Sequence, residues 1–182
     1  MTRSFVPAGV TCAALAAALL SSIAALRAQQ APAVMPVPAL LQAYKPVTAE
    51  RLLTPDEGDF LMVRRTYDGW AHSPLKQLTP ANVGRLQPVW SFATGATSGH
   101  EATPLVNNGV MFVATPGNQV LAIDARTGTL LWKYAAPPPP DVIQLHRTSR
   151  GVALFEDKVY FARAEAVLVA LDAKTGKEVW SA

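Results

Sequence analysis

Apolar runs of strand length recur along the second half of the chain in a fixed order, with polar turns between them. Val110-Met-Phe-Val-Ala114 and Lys158-Val-Tyr-Phe-Ala162 lie 48 residues apart. Each is followed by a second apolar run closing in Asp-Ala-x-Thr-Gly and by a third leading into Trp. The full phrases are Ala122-Ile-Asp124-Ala-Arg-Thr127-Gly128-Thr-Leu-Leu-Trp132 and, at the same 48-residue offset, Ala170-Leu-Asp172-Ala-Lys-Thr175-Gly176-Lys-Glu-Val-Trp180. Short apolar runs bounded by turn signals predict strands. Their fixed period predicts equivalent stacked units over about 105–132 and 153–180.

The turn has its own chemistry. Asp accepts hydrogen bonds from the amides just ahead of it, and Gly supplies the positive φ that closes a tight hairpin. Antiparallel strands at a period of about 40–50 residues suit a four-stranded propeller blade. The predicted fold is therefore all-β, with Trp132 and Trp180 packing where neighbouring blades meet. A propeller closes with about four to eight blades. The chain holds two full repeats and a partial one ending at Gln87-Pro-Val-Trp90, so it is expected to be the N-terminal part of a larger protein.

Ahead of the repeats, residues 1–28 read as an export signal: Arg3, an Ala/Leu-rich stretch over 10–20, and a small-residue end at Ala28. The alternative is a short membrane anchor, but the run is shorter than the roughly 20 residues of a spanning helix. No transmembrane span is therefore expected in the mature chain. Pro32, Pro36, Pro38, Pro46 and Pro55 make 29–56 a linker rather than packed structure. The propeller part is 57–182. Thr79 as N-cap and Pro80 at the first position predict a short helix leading to a strand around Trp90. Pro137 to Pro140 predict an extended polyproline stretch.

Composition narrows the chemistry. The single cysteine, Cys12, lies inside the leader, so the mature chain has no disulfide or thiolate metal site. Loss of Arg3 and Arg27 takes the basic count from 16 to 14 against 13 acids, and nothing in that balance points to a nucleic-acid partner.

A site is sought where the two repeats differ, because matching positions build the blade. Gly99-His-Glu101-Ala-Thr-Pro104 enters one blade and His146-Arg-Thr-Ser-Arg150-Gly151 enters the next. Blade entrances lie near a propeller's axis, so Glu101, His146 and Arg150 are placed to converge on one ligand. Other readings stay open: Arg150 as an interblade ion pair, Glu101 as a strand cap, His146 as a solvated loop residue. His100-Glu101 is no zinc motif, because Pro104 stands where a second His is required. Arg163 and Glu165 interrupt the repeat near a strand end, as a solvated turn would.

At these residues the chain resembles the pyrroloquinoline quinone (PQQ) dependent dehydrogenases, the quinoproteins. The Ala-x-Asp-x-x-Thr-Gly-x-x-x-Trp phrase is similar to that family's tryptophan-docking motif, and Ser73-Pro74-Leu75 with Asn82-Val83 resembles its opening segment. The resemblance covers roughly 57–182 and implies an eight-bladed propeller of which about the first two blades are present. It implies that Glu101 and Arg150 contact the quinone, with Arg150 pairing a carboxylate. The alcohol dehydrogenases of the family carry adjacent cysteines where Gln144 and Leu145 stand here. His146 instead resembles the His-x-Thr-x-Arg-Gly arrangement of the membrane glucose dehydrogenase branch, which gives it the stacking role.

The physical demands agree. PQQ is a flat tricarboxylate that asks for a cation with fork geometry, which Arg150 has, and a flat group against its face, which His146 has. Glu101 near that anion requires a proton, a bridging water or nearby cations. The implied reaction is oxidation of an alcohol or sugar hydroxyl by hydride transfer, assisted by calcium or a lanthanide. Electrons leave to cytochrome c or ubiquinone, in the periplasm. The metal ligands and base are expected beyond residue 182, so no catalytic or metal residue is assigned, and the chain alone is expected to be inactive. The competing class is a non-catalytic propeller scaffold of the outer-membrane assembly type, which needs no Glu and Arg at adjacent entrances.

Overall fold

The computed structural model of the protein describes residues 36–182; the expected leader, 1–28, lies outside them. Among the described residues, eight strands form two antiparallel four-stranded meanders. The first contains β1 (Leu105–Asn107), β2 (Val110–Thr115), β3 (Gln119–Asp124) and β4 (Leu130–Ala135). The second contains β5 (Ala153–Phe155), β6 (Lys158–Ala162), β7 (Leu168–Asp172) and β8 (Glu178–Ser181). Val113 opposes Leu121 in one sheet and Phe161 opposes Val169 in the other. Even the bulge recurs, between Ala122 and Ile123 and between Ala170 and Leu171. Each repeat is thus one blade.

The Asp-x-x-Thr-Gly turns form as their side chains dictate. Asp124 Oδ1 accepts from the amides of Arg126 (2.8 Å) and Thr127 (3.2 Å). Asp172 Oδ1 accepts from Lys174 (3.1 Å) and Thr175 (2.8 Å). Gly128 and Gly176 sit at φ 74° and 68°, and at both a side chain would collide with an indole. A Cβ on Gly128 would lie 2.7 Å from the Trp90 ring, and one on Gly176 would lie 2.5 Å from the Trp132 ring. Trp90 Nε1 donates to Ala125 O (3.1 Å) and Trp132 Nε1 to Ala173 O (2.9 Å). Each tryptophan therefore docks on the turn of the repeat that follows it. Trp180 packs at 6.0 Å against Tyr160 and remains 40% exposed.

Matching positions of the two blades are buried with opposite parity. Val110, Phe112 and Ala114 are buried on β2, whereas on β6 the buried pair is Val159 and Phe161. Successive strand residues point to opposite faces. The core thus lies between the sheets, where Phe112 and Trp132 of one blade join Val169 and Leu171 of the other in one cluster.

The expected linker is a correction. Residues 37–56 are packed: Leu41 and Val47 are fully buried and Tyr44 is 6% exposed, all within the interblade core. Two short helices, α1 (Ala39–Gln42) and α2 (Ala49–Leu53), carry the strap. The prolines only mark its bends. Val47 exchanges backbone bonds with Glu156 of the second blade. In the first blade's direction, the Arg51 guanidinium reaches Asp59 (2.6 Å) and Asn107 (3.0 Å). The strap thereby ties both blades at the end where β1 turns into β2 and β5 into β6.

Two smaller expectations also change. Thr79 caps no α-helix: a 3₁₀ turn spans Val83–Arg85, and Asn82 Oδ1 accepts from Thr79 N (2.8 Å). Trp90 lies in no strand among the described residues. Residues 136–139 belong to no strand or helix, and a turn begins at Pro140. No helix among the described residues is long and apolar enough to cross a membrane.

Candidate functional site

The antiparallel meanders give the sheets two unlike ends. One holds the strap and the Asp-x-x-Thr-Gly turns. The other holds the entrances to β1 and β5 and the connections after β2 and β6. Every sequence-predicted site residue falls at this second end.

The two entrances lie side by side: a Cβ built on Gly151, at φ 125°, would come within ordinary contact of Thr103 O (3.8 Å) and Ala102 Cβ (3.9 Å). That approach joins Glu101 and Arg150, whose Oε2 and Nη1 are 3.0 Å apart. The interblade ion pair left open for Arg150 is therefore present. It is also wet, the Arg150 side chain being 85% exposed and that of Glu101 43%, so it contributes little to stability. An arginine so exposed keeps most of its donors available to a ligand. His146 stands exposed on the same connection. His100 bonds Thr94 Oγ1 at 2.9 Å.

Beside Arg150 a cleft of about 250 Å³ opens between the blades, walled by Thr115 to Asn118 on one side and Phe161 to Ala164 on the other. Its far lip corrects the expectation of a solvated turn at Arg163 and Glu165. These side chains are only 21% and 13% exposed and form an ion pair. Asn118, 5% exposed, holds them: Nδ2 donates to Glu165 Oε2 (2.7 Å), and Oδ1 accepts from Ala164 N (2.9 Å). Burial pushes the Glu165 carboxyl up, but its own amide, Asn118 and Arg163 outweigh that and leave it below the usual range. Thr115 Oγ1 and Arg163 Nε are buried without a partner.

The repeat contained a signal for this cluster. At the 48-residue offset Thr115 becomes Arg163 and Gly117 becomes Glu165, a polar and charged substitution inside an otherwise repeated element. Only the partner, Asn118, was unreadable, since it comes from the other blade.

The family model described as "PQQ: Glucose/ethanol/alcohol dehydrogenase, beta-propeller domain" matches residues 61–181. The chain belongs to this family. It is 42% identical over 127 residues to the dehydrogenase subunit of a quinone alcohol dehydrogenase of Gluconobacter oxydans, covering 68% of this chain and 17% of that protein. It is 38% identical over 175 residues to a quinohemoprotein alcohol dehydrogenase of Pseudomonas putida, covering 92% and 23%. That enzyme's solved structure matches with a TM-score of 0.69 at 37% identity, over 75% of this chain and 21% of the other. A europium-containing methanol dehydrogenase matches at 0.67 and 33%, over 73% and 24%. The chain thus spans about a fifth of the length of the relatives it matches.

The family's cofactor is a flat trianion, and the second end of the blades fits such a group in two respects: it presents an exposed guanidinium and an acid already offset by that guanidinium.

Proposed function

We propose that this chain supplies part of the PQQ-binding face of a dehydrogenase that oxidises an alcohol, or the hydroxyl of a sugar. The observation carrying the reading is the Glu101–Arg150 pair at adjacent blade entrances, 3.0 Å apart and open to solvent. Arg150 offers paired N–H donors to a quinone carboxylate. Glu101 keeps its charge offset until a ligand takes over the guanidinium. His146, exposed four residues before Arg150, provides a planar face for the ring system. When bound, the quinone would supply a two-electron acceptor for the hydride leaving the substrate carbon.

The relatives named above are alcohol dehydrogenases, which favours a simple alcohol over a sugar. Calcium or a lanthanide is the implied metal and cytochrome c or ubiquinone the implied acceptor. The leader-like residues 1–28 support a periplasmic location. The metal ligands and base belong to other parts of the propeller, so the chain alone binds cofactor without turning over substrate.

Isothermal titration of the full chain with PQQ tests the reading. Binding that Arg150→Gln weakens about tenfold or more, the effect of one charge-assisted contact, supports it. No binding, or equal affinity in the variant, refutes it.

A further inference from the structure

The seam between the two blades has unlike chemistry at its two ends. At the strap end it is held by the burial of Leu41, Tyr44 and Val47 in the interblade core and by backbone bonds of Val47 with Glu156. At the end bearing the entrances to β1 and β5 it is polar. There Asn118, on the turn between β2 and β3, donates to Glu165 Oε2 (2.7 Å) and accepts from Ala164 N (2.9 Å), both across the seam. Glu165 also pairs with Arg163 on its own turn. The preceding repeat has Thr115 and Gly117 at these two positions, so the clasp is no requirement of the repeat. An ionised carboxylate only accepts, which suits it to the Asn118 amide and the guanidinium together. A proton on it removes the charge that strengthens those bonds and leaves Arg163 without its counter-charge. The surrounding charges favour the ionised form. Thr115 to Gln119 of the facing turn are neutral, Arg150 lines the same cleft as Arg163, and the nearest further acid, Glu178 of β8, accepts from Tyr134 of β4 at 3.0 Å.

We propose that Glu165 is the pin of an acid-released clasp: its protonation frees the blades from one another at the entrance end while the strap keeps them joined at the other. Release widens the cleft of about 250 Å³ that Arg150 and Arg163 line. The folded chain holds the Glu165 carboxyl below its usual range, since its own amide, Asn118 and Arg163 outweigh the opposing effect of burial. The clasp is therefore complete above the usual carboxylate value and is lost as pH falls below it through the lowered folded value. The apolar burial and backbone bonds of the strap end do not titrate. Nothing in this device depends on the cofactor reading.

Hydrogen–deuterium exchange of the full chain, read by mass spectrometry at about pH 6 and about pH 3, on either side of the carboxylate range, and corrected for intrinsic rates, tests the clasp. Peptides over 115–119 and 161–168 are expected to lose protection about tenfold or more in acid, the effect of one charge-assisted contact, while peptides over 41–47 and 154–159 keep theirs. Glu165→Gln should show at about pH 6 the exchange that the unsubstituted chain shows in acid, and little further change. Asn118→Ala, which leaves the Arg163–Glu165 pair intact, carries the same expectation and serves if circular dichroism shows Glu165→Gln to be unfolded. Parallel loss at both ends of the seam would be ordinary acid unfolding and would overturn the proposal. So would unchanged protection at 115–119 and 161–168, or an acid response that survives in Glu165→Gln and disappears in Glu178→Gln.

Discussion

Replacing Gly176 by alanine is expected to damage the fold far more than its small size suggests. Its backbone is left-handed, at φ 68°, and the new Cβ would lie 2.5 Å from Trp132 Cε3 and 2.6 Å from Cδ2. The backbone conformation alone costs an alanine about 1–2 kcal/mol. Trp132 is 8% exposed and tilted against Phe112 at 5.8 Å, so its ring cannot retreat without disturbing the interblade core. Such overpacking costs about 1–3 kcal/mol, and loss of the Trp132–Ala173 bond about 1 kcal/mol more. The total, about 3–6 kcal/mol, is a large part of the roughly 5–15 kcal/mol that holds a domain together. Gly109→Ala is the control, with φ 80° but only Leu40 Cδ1 within reach, at 3.8 Å; it should cost the backbone part alone, about 1–2 kcal/mol. Urea unfolding followed by far-UV circular dichroism and tryptophan fluorescence measures both. Equal destabilisation of the two variants would refute the docking argument.

Further outcomes follow from the strap, the ion pair beneath it and the reaction. Leu41→Ala empties a fully buried position and should cost about 2–5 kcal/mol in urea unfolding, whereas a residue in a loose linker would cost nothing. Asp59→Asn removes the nearer of the two carboxylates beside Arg51, Asp56 remaining at 3.6 Å, and should cost about 1–3 kcal/mol, the range of a hydrogen bond to a charged group. Burial pushes the Tyr44 hydroxyl from 10.0 up to about 12. The folded state therefore keeps its phenol neutral where the unfolded chain ionises. Stability is full below pH 10 and falls by about 2–3 kcal/mol as pH rises to about 12, and Tyr44→Phe should remove that decline from a pH series of unfolding curves. The 182-residue chain, supplied with PQQ and calcium, should reduce no dye with ethanol or 1-butanol as substrate; dye reduction would show that it contains its own base and metal site.

What was legible in the sequence was local or periodic. Asp124 and Asp172 act on amides two and three residues ahead, so their turns could be read directly. The period placed three strands of each blade, and it marked Trp132 as an interblade residue. The strap was misread because its helices are four and five residues long, too short to show a helical period. Its burial depends on Phe112 and Val159, which lie far along the chain. Glu101 and Arg150 were legible as a pair because equivalent blade entrances must be neighbours. The Arg163–Glu165 pair was visible as a break in the repeat, but its meaning depended on Asn118, 47 residues from Glu165.

The central claim is that the end of the blades bearing Glu101, His146 and Arg150 is the cofactor face. Amide and arginine side-chain NMR spectra of the uniformly ¹⁵N-labelled full chain, recorded during titration with PQQ, test it most directly. The account predicts shifts confined to the entrances around Glu101 and 144–151 and to the cleft walls at 115–118 and 161–164. Shifts centred on the strap and the Asp-x-x-Thr-Gly turns at the opposite end, or no shifts at all, would contradict it.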